Sequence, residues 1–220
     1  MFFDMDGLLV DTERLWFDVE RDVMGRLGGA WGEEHQRALV GGPLGRTVSY
    51  MLRLSGATVS SAEVGRWLLD GMMERLRGDG VPLLPGARAL LEEVSRARVP
   101  CALVSSAQRV LVDTVLDQLG REWFDTTVSG TDVPHTKPEP DPYLRAAAAL
   151  QVDPARCAAL EDSPNGVASA EAAGCLTVVV PSVVPIPPAP GRIVLRSLTD
   201  VDLALITGAM SARVCDDGPR

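Results

Sequence analysis

Lysine is almost missing from this chain. Its 21 basic residues are twenty arginines and a single lysine, Lys137, so chemistry that needs a side-chain amine must use that residue or do without. Long apolar runs are missing too. None reaches eighteen residues, which excludes a transmembrane helix. The first residues carry no basic stretch ahead of an apolar one, so no signal peptide is expected. Only three residues precede Asp4, whereas a buried strand usually has about five or six; whether the natural chain starts upstream of Met1 stays open. The four cysteines, Cys101, Cys157, Cys175 and Cys215, include no CxxC pair. That argues against a zinc site or a disulfide framework and for reduced, buried thiols in a cytoplasmic protein. Positive charge is in deficit, with a net charge of -9. An acidic chain has no general attraction for nucleic acid or an anionic membrane, and neither is expected as a partner. The oligomeric state is left open, with a monomer as the default.

What is present suffices for a full core: 220 residues, 46% of them hydrophobic, in one large domain or two unequal ones. Leu15, Trp16, Val19, Val23 and Leu27 recur at spacings of three and four, which predicts a helix from Glu13 that buries one face and stops at Gly28-Gly29. Further helices are predicted over 33–39, stopped by Gly41-Gly42-Pro43, then near 47–54, and from Ser60 or Ser61 towards Leu76 with Glu63 in the first turn. This block has no strand signal. After the breaker Gly78-Asp79-Gly80 the pattern changes. Helices over 87–97, 109–119, 141–150 and 165–173 alternate with short apolar strands over 100–104, 127–130, 157–160, 177–180 and 193–195. Such alternation implies right-handed crossovers and a mostly parallel sheet covered on both faces. The expectation is an α/β protein: a Rossmann-like three-layer core built from residues 1–12 and 80–220, with a small helical cap, residues 13–79, inserted into it. The segment from Pro181 to Pro190 reads as a stiff connection or flap. The tail from about Gly208 is expected to fray. His35 and His135 show no partner and are expected at solvated positions.

Ligands of such sheets bind beyond the strand C-termini, so the polar residues there carry the functional question. Asp4 and Asp6 follow the first apolar residues, and in an extended strand positions i and i+2 face one way. Gly7 lets the chain turn where a side chain would obstruct it. Ser105 and Ser106 follow the second strand, Lys137 lies in His135-Thr136-Lys137-Pro138-Glu139-Pro140, and Glu161-Asp162 end another strand ahead of Ser163-Pro164-Asn165-Gly166. Each has an ordinary explanation alone. A lone DxD is a polar loop, a serine caps a helix, a lysine is solvated, and an acidic pair with serine makes a turn. Together they occupy one rim of one sheet and suit phosphoryl transfer. Mg²⁺ binds through one or two carboxylates plus the substrate phosphate, and Asp4 and Asp162 can supply them. The metal and Lys137 would balance the phosphate charge. Ser105, with N–H groups at a helix start, would bind phosphate oxygens. Asp4 can then attack phosphorus to give an aspartyl phosphate, while Asp6 moves protons.

These motifs resemble the haloacid dehalogenase superfamily, in its branch of phosphatases and mutases with a helical cap after the first strand. Asp4-Met5-Asp6-Gly7 resembles the first motif, Ser105 the second, Lys137-Pro138-Glu139-Pro140-Asp141 the third, and Glu161-Asp162-Ser163-Pro164-Asn165-Gly166 the fourth. The resemblance covers nearly the whole chain. It implies Mg²⁺ held by Asp4, the Asp6 backbone carbonyl and Asp162, with Glu161 acting through the metal's waters.

Within that resemblance the second acid, Asp6, favours phosphoryl chemistry over halide displacement. A phosphonatase branch would need a cap lysine, and this cap has none. The β-phosphoglucomutase branch resembles the chain through Asp11-Thr12, but its cap histidine would fall at Trp16 and its cap lysine is missing. The expected activity is therefore a Mg²⁺-dependent phosphatase of a small phosphorylated metabolite such as a sugar phosphate. A sugar-phosphate mutase is the alternative, and a non-enzymatic receiver or binding module stands behind it. Substrate contacts are expected from the cap and from the second motif. Trp16 is a candidate for stacking on a sugar, set against plain packing inside the cap. Arg46 is a candidate for an anionic or hydroxylated substrate, set against solvation. Gln108 and Arg109 are placed to touch the phosphate or leaving group. Glu13 is read as a helix-start acid at the cap linker. The hinge is placed at residues 11–13 and 78–81.

Overall fold

The computed structural model describes residues 1–78 and 80–216. A short strand β1 (Phe2–Phe3) is followed by four helices with no strand between them: α1 (Glu13–Arg26), α2 (Glu33–Leu39), α3 (Leu44–Ser55) and α4 (Ser61–Gly78). The chain then alternates: α5 (Ala87–Arg96), β2 (Ala102–Val104), α6 (Arg109–Leu119), β3 (Thr126–Val128), α7 (Asp141–Leu150), β4 (Ala158–Glu161), α8 (Pro164–Ala172), β5 (Leu176–Val179), β6 (Arg192–Val194) and α9 (Leu203–Asp216).

The strands form one sheet in the order β3-β2-β1-β4-β5-β6, and every neighbouring pair is parallel. The sheet is buried on both faces, which explains the continuous apolar strands. Phe3, Leu103, Leu160 and Val178 join one core cluster, with Leu90 of α5 and Val112 of α6. Phe2, Ala102, Val104 and Ala159 join another, with Tyr143 of α7 and Ala170 of α8. This is the three-layer α/β arrangement expected. Strand β1 is short yet central. Phe2 and Phe3 are fully buried, and their rings lie 5.8 Å from Tyr143 and 6.2 Å from Phe124. Burial of such a ring contributes about 1.5–3 kcal/mol, so two residues suffice to seat the strand.

Several sequence expectations need correction. Asp4 and Asp6 do not lie within a strand. Asp4 N–H still donates to the Leu160 carbonyl (3.1 Å), but the next residues fold back on themselves through Val10 N–H to Met5 O (3.1 Å) and Gly7 N–H to Val10 O (2.9 Å). From Gly208 to Asp216 the tail is helical rather than frayed, as the end of α9 with Ile206 buried in its first turn; residues 217–220 lie outside the described residues. Apolar residues in its first two turns supply the buried face. His35 is not solvated: its ring packs 5.0 Å from that of Trp31, and its Nδ1 lies 3.0 Å from Tyr50 Oη. His135 is exposed, as expected, but pairs with Asp141 at 3.1 Å. Ser105 and Ser106 are not helix caps, since Gln108 holds that position on α6. Asp79 of the breaker lies outside the described residues.

The buried thiols Cys101 and Cys175 are pushed up to about 11 and about 12, chiefly by desolvation, which makes them inert; both are free, as is Cys157. The Cys215 side chain lies outside the described residues. The segment between β5 and β6 has no regular structure but is anchored by buried Ile186. The two linkers flanking α1–α4 are tied to each other: Asp11 N–H donates to Pro82 O (2.8 Å) and Leu84 N–H to Leu9 O (2.9 Å). No helix among the described residues is long and apolar enough to cross a membrane.

Candidate active site

The loops leaving β1, β2 and β4 converge at one rim of the sheet. Asp4 follows β1, Ser105 follows β2, and Glu161-Asp162 stand at the end of β4. Carboxylate oxygens of Asp4, Glu161 and Asp162 lie within 4.8 Å of one another, and all three residues are buried. Lys137 reaches in from the segment ahead of α7. Its Nζ donates to Asp4 Oδ1 (2.5 Å), Glu161 Oε1 (2.5 Å) and the Val104 carbonyl (2.8 Å), with 2% of the side chain exposed. The chain's single lysine is thus fully committed.

One ammonium does not balance three buried carboxylates. Burial, opposed by Lys137 and reinforced by Asp4, raises Glu161 to about 7. Burial, then the charges of Asp4 and Glu161, push Asp162 well above the usual carboxylate range. Burial alone would lower Lys137, but the two acids more than offset this and hold it charged. Glu161 Oε2 is buried and has no hydrogen-bond partner. Three buried carboxylates gathered within 4.8 Å against one ammonium are an excess of hard oxygen donors that fits a divalent cation such as Mg²⁺.

The glycines around the cluster follow from close approach. Gly7 has φ +78°, and a Cβ there would fall 2.2 Å from Asp162 Oδ2. A Cβ on Gly166 would fall 1.8 Å from the orphaned Glu161 Oε2. Ser163 caps α8, its hydroxyl accepting from Gly166 N–H (3.1 Å), so the turn after Glu161-Asp162 is fixed from both ends.

Asp6 stands apart from the three acids. Its carboxylate accepts from Thr12 Oγ1 and, at 3.4 Å, from Ser105 Oγ. Burial first, then the charge of Asp4, raise it to about 6. A carboxyl raised towards neutrality exchanges its proton more readily near neutral pH than an ordinary aspartate, as a general acid and base must. Ser105 Oγ also accepts from Ala107 N–H (3.0 Å). Ser106 Oγ is buried and unpartnered.

A cavity lies between these loops and α1–α3. Asp4, Asp6, Ser105, Ser106, Gln108 and Lys137 line its floor. The roof is made by Glu13, Trp16, Glu20, Gln36, Leu44 and Thr47, with the 39–42 turn at one edge. Every expected site residue but three therefore borders the cavity. Glu161 sits behind Asp4 and Lys137. Arg46 points away, exposed, with its guanidinium on the Ala38 carbonyl (3.0 Å). Arg109, also placed near the phosphate, is turned to Thr127 (2.9 Å) and Asp132. Glu13 is more than a helix-start acid. It borders the cavity, and burial with nearby Asp6 and Glu20 raises it to about 8.

Three residues of this site went unnoticed in the sequence, and a fourth, Thr12, was noted there only for the branch it resembles. Tyr143 Oη donates to Glu161 Oε1, and Lys137 Nζ lies 5.2 Å above its ring. A tyrosine in the buried stripe Tyr143, Ala146, Ala147 was the available signal, because a buried phenol must find a partner. Ser182 Oγ donates to Asp162 Oδ2 from the irregular proline-rich segment, and nothing local marks it. Thr12 shares the Asp6 carboxylate. Glu20 falls four residues after Trp16, on the apolar face of α1, and an acid there was the readable anomaly.

Residues 1–180 match the family model of the haloacid dehalogenase-like hydrolases. Hexitol phosphatase B of Escherichia coli (strain K12) is 34% identical over 191 residues, covering 82% of each chain. Fructose-1-phosphate phosphatase YqaB of the same strain is 31% identical over 177 residues, covering 79% of this chain and 92% of the relative. Among solved structures, a CbbY variant from Rhodobacter sphaeroides in complex with xylulose-(1,5)bisphosphate superimposes with a TM-score of 0.84. It is 28% identical and covers 92% of this chain and 96% of its own.

Proposed function

The chain belongs to the haloacid dehalogenase-like hydrolase family, and on that footing we propose that it is a Mg²⁺-dependent phosphatase of a small phosphorylated metabolite, a sugar or polyol phosphate, acting through an aspartyl-phosphate intermediate. The observation that carries this reading is the convergence of Asp4, Glu161 and Asp162 around Lys137, with Asp6 beside them in the same enclosed cavity. Residues 13–79 act as the cap, and the tied linkers serve as its hinge.

In this reading Asp4, Asp162 and the Asp6 backbone carbonyl hold the metal, with Glu161 behind them. Bound Mg²⁺ supplies positive charge that offsets the phosphate dianion and the nucleophile. The Ser105 and Ser106 hydroxyls donate to phosphate oxygens, and the unpartnered Ser106 Oγ gains the bond it lacks. The Asp4 carboxylate attacks phosphorus, and the bond from phosphorus to the ester oxygen breaks. Asp6 gives its proton to the leaving alkoxide. Asp6, now ionised, takes a proton from water as that water attacks the phosphoryl group, which frees Asp4 and yields inorganic phosphate. Lys137 holds Asp4 in one orientation throughout.

Water is favoured over a returning sugar as the acceptor. Trp16 borders the cavity at the position where the resemblance places a mutase histidine, and the cap has no lysine. The Asp4→Asn variant should lose all measurable hydrolysis of 4-nitrophenyl phosphate while keeping its circular dichroism spectrum; retained turnover would remove Asp4 as nucleophile. Phosphate release should exceed isomerisation when β-glucose 1-phosphate is supplied with Mg²⁺. Fast formation of glucose 6-phosphate with little free phosphate would favour the mutase.

A further inference from the structure

The cavity roof is acidic and has no cation. Among the described residues bordering the cavity, Lys137 is the sole basic one, and its three donor contacts are already on Asp4, Glu161 and Val104 O. The roof instead presents two carboxyls, an amide and a hydroxyl. Glu20, 6% exposed, is held by one oxygen: Trp31 Nε1–H donates to its Oε2 at 3.0 Å. Trp31 is in turn fixed between His35 and Tyr50, at ring separations of 5.0 and 5.9 Å. Glu13 is tied to α2, where Gln36 Nε2 donates to its carbonyl (2.8 Å) and its Oε2 (3.3 Å). Thr47, 6% exposed, borders the same space from α3.

We infer that Glu20, fixed by Trp31, is a specificity-determining residue that reads the hydroxyl groups of the leaving alcohol and, with Glu13, selects monophosphates of uncharged polyols against substrates with a second anionic group. The inference rests on the phosphatase reading and deepens it. A polyol hydroxyl donates to a carboxylate and accepts from a carboxylic acid, so it is served in either protonation state. A second phosphate or a carboxylate needs a positive partner once out of water. At the roof it would meet two acids, and no guanidinium or ammonium lines that wall; Arg46, beside Gly42 at the edge, has its guanidinium on the Ala38 carbonyl. The related CbbY structure holds a bisphosphate; this roof is made for a different leaving group.

The test uses the whole protein with Mg²⁺ and three esters: a six-carbon polyol monophosphate, the bisphosphate of a six-carbon sugar, and 4-nitrophenyl phosphate. Wild type should prefer the polyol monophosphate to the bisphosphate by at least tenfold in kcat/KM. Glu20→Gln keeps the size and the acceptor for Trp31. It should lose at least tenfold more on the polyol monophosphate than on the aryl ester, chiefly through KM, and its preference over the bisphosphate should shrink. Trp31→Phe, which removes the N–H that fixes Glu20 together with part of the buried ring, should move the preference the same way, and the circular dichroism spectrum of each variant is compared with wild type to guard against misfolding. Equal losses on polyol and aryl esters in both variants would overturn the inference. Calorimetric binding to Asp4→Asn protein separates the two layers of the argument. A polyol monophosphate bound tenfold more tightly than the bisphosphate, yet never hydrolysed by wild type, would sink the phosphatase reading and keep the specificity. Esters hydrolysed by wild type but bound without that difference would sink the specificity and keep the phosphatase.

Discussion

The floor and roof of the cavity are both acidic, but their acids are handled in opposite ways. On the floor, Asp4 and Glu161 share an ammonium, and Asp162 has the Ser182 hydroxyl. On the roof, Glu13 and Glu20 have only neutral donors, an amide and an indole, and both are raised, to about 8 and about 7, first by burial. The floor is arranged for charge: it gathers more carboxylate than Lys137 balances and leaves an oxygen of Glu161 unsatisfied. The roof is arranged for neutral polar groups. A phosphate ester has one end of each kind, and the cavity is polarised to match.

The largest effect should come from the floor. Asp6→Asn keeps the shape but cannot exchange a proton, and kcat should fall by about 10²- to 10⁴-fold. A leaving group that needs no protonation, such as 4-nitrophenolate, should recover part of the first step; an equal loss on alkyl and aryl esters would deny Asp6 the acid role. Tyr143→Phe removes one donor from Glu161 without opening a cavity. A hydrogen bond to a charged group contributes about 1.5–3 kcal/mol, so the Mg²⁺ concentration for half-maximal activity should rise by roughly tenfold or more. An unchanged metal requirement would mean that Lys137 alone positions Glu161.

The smallest effect concerns stability and belongs to the roof. The Glu20 carboxyl moves from 4.5 to about 7 on folding. A raised carboxyl favours the folded state below its unfolded value, and that contribution is lost as pH climbs through about 7. Once Glu20 is ionised in both states it opposes folding by up to roughly 3 kcal/mol. Wild type should therefore lose more stability between pH 5 and pH 8 than Glu20→Gln, read as the urea midpoint at each pH. Parallel loss in the two proteins would show that the roof acid is better solvated than its burial indicates.

How far this contrast was readable beforehand differs between the two walls. The floor residues Asp4, Asp6, Ser105, Glu161 and Asp162 lie next to strand ends, and strand ends in a parallel sheet share one rim, so their assembly follows from topology; Lys137 joins them from the loop between β3 and α7. Gly166 also belongs to that local logic, since the Glu161 carboxylate just before it leaves no room for a Cβ, whereas Gly7 is crowded by Asp162, which only the fold brings near. The roof depends on how helices pack across the cavity. Glu20 and Trp31 meet over eleven positions, and Arg46 turns outward because the end of α2 offers it a carbonyl. Such contacts are set by tertiary packing, not by periodicity. The same holds for Tyr143, whose hydroxyl is committed to an acid 18 positions away, and for Ser182, which arrives from an irregular segment.

The single lysine has a practical consequence. A protein with one side-chain amine, 2% exposed and wedged between two carboxylates, carries a built-in spectroscopic label at the centre of its candidate catalytic site. Its ε-ammonium nitrogen is the one resonance of its kind in the molecule, and titration of that signal with Mg²⁺ or with phosphate reports directly on the candidate site with no probe introduced.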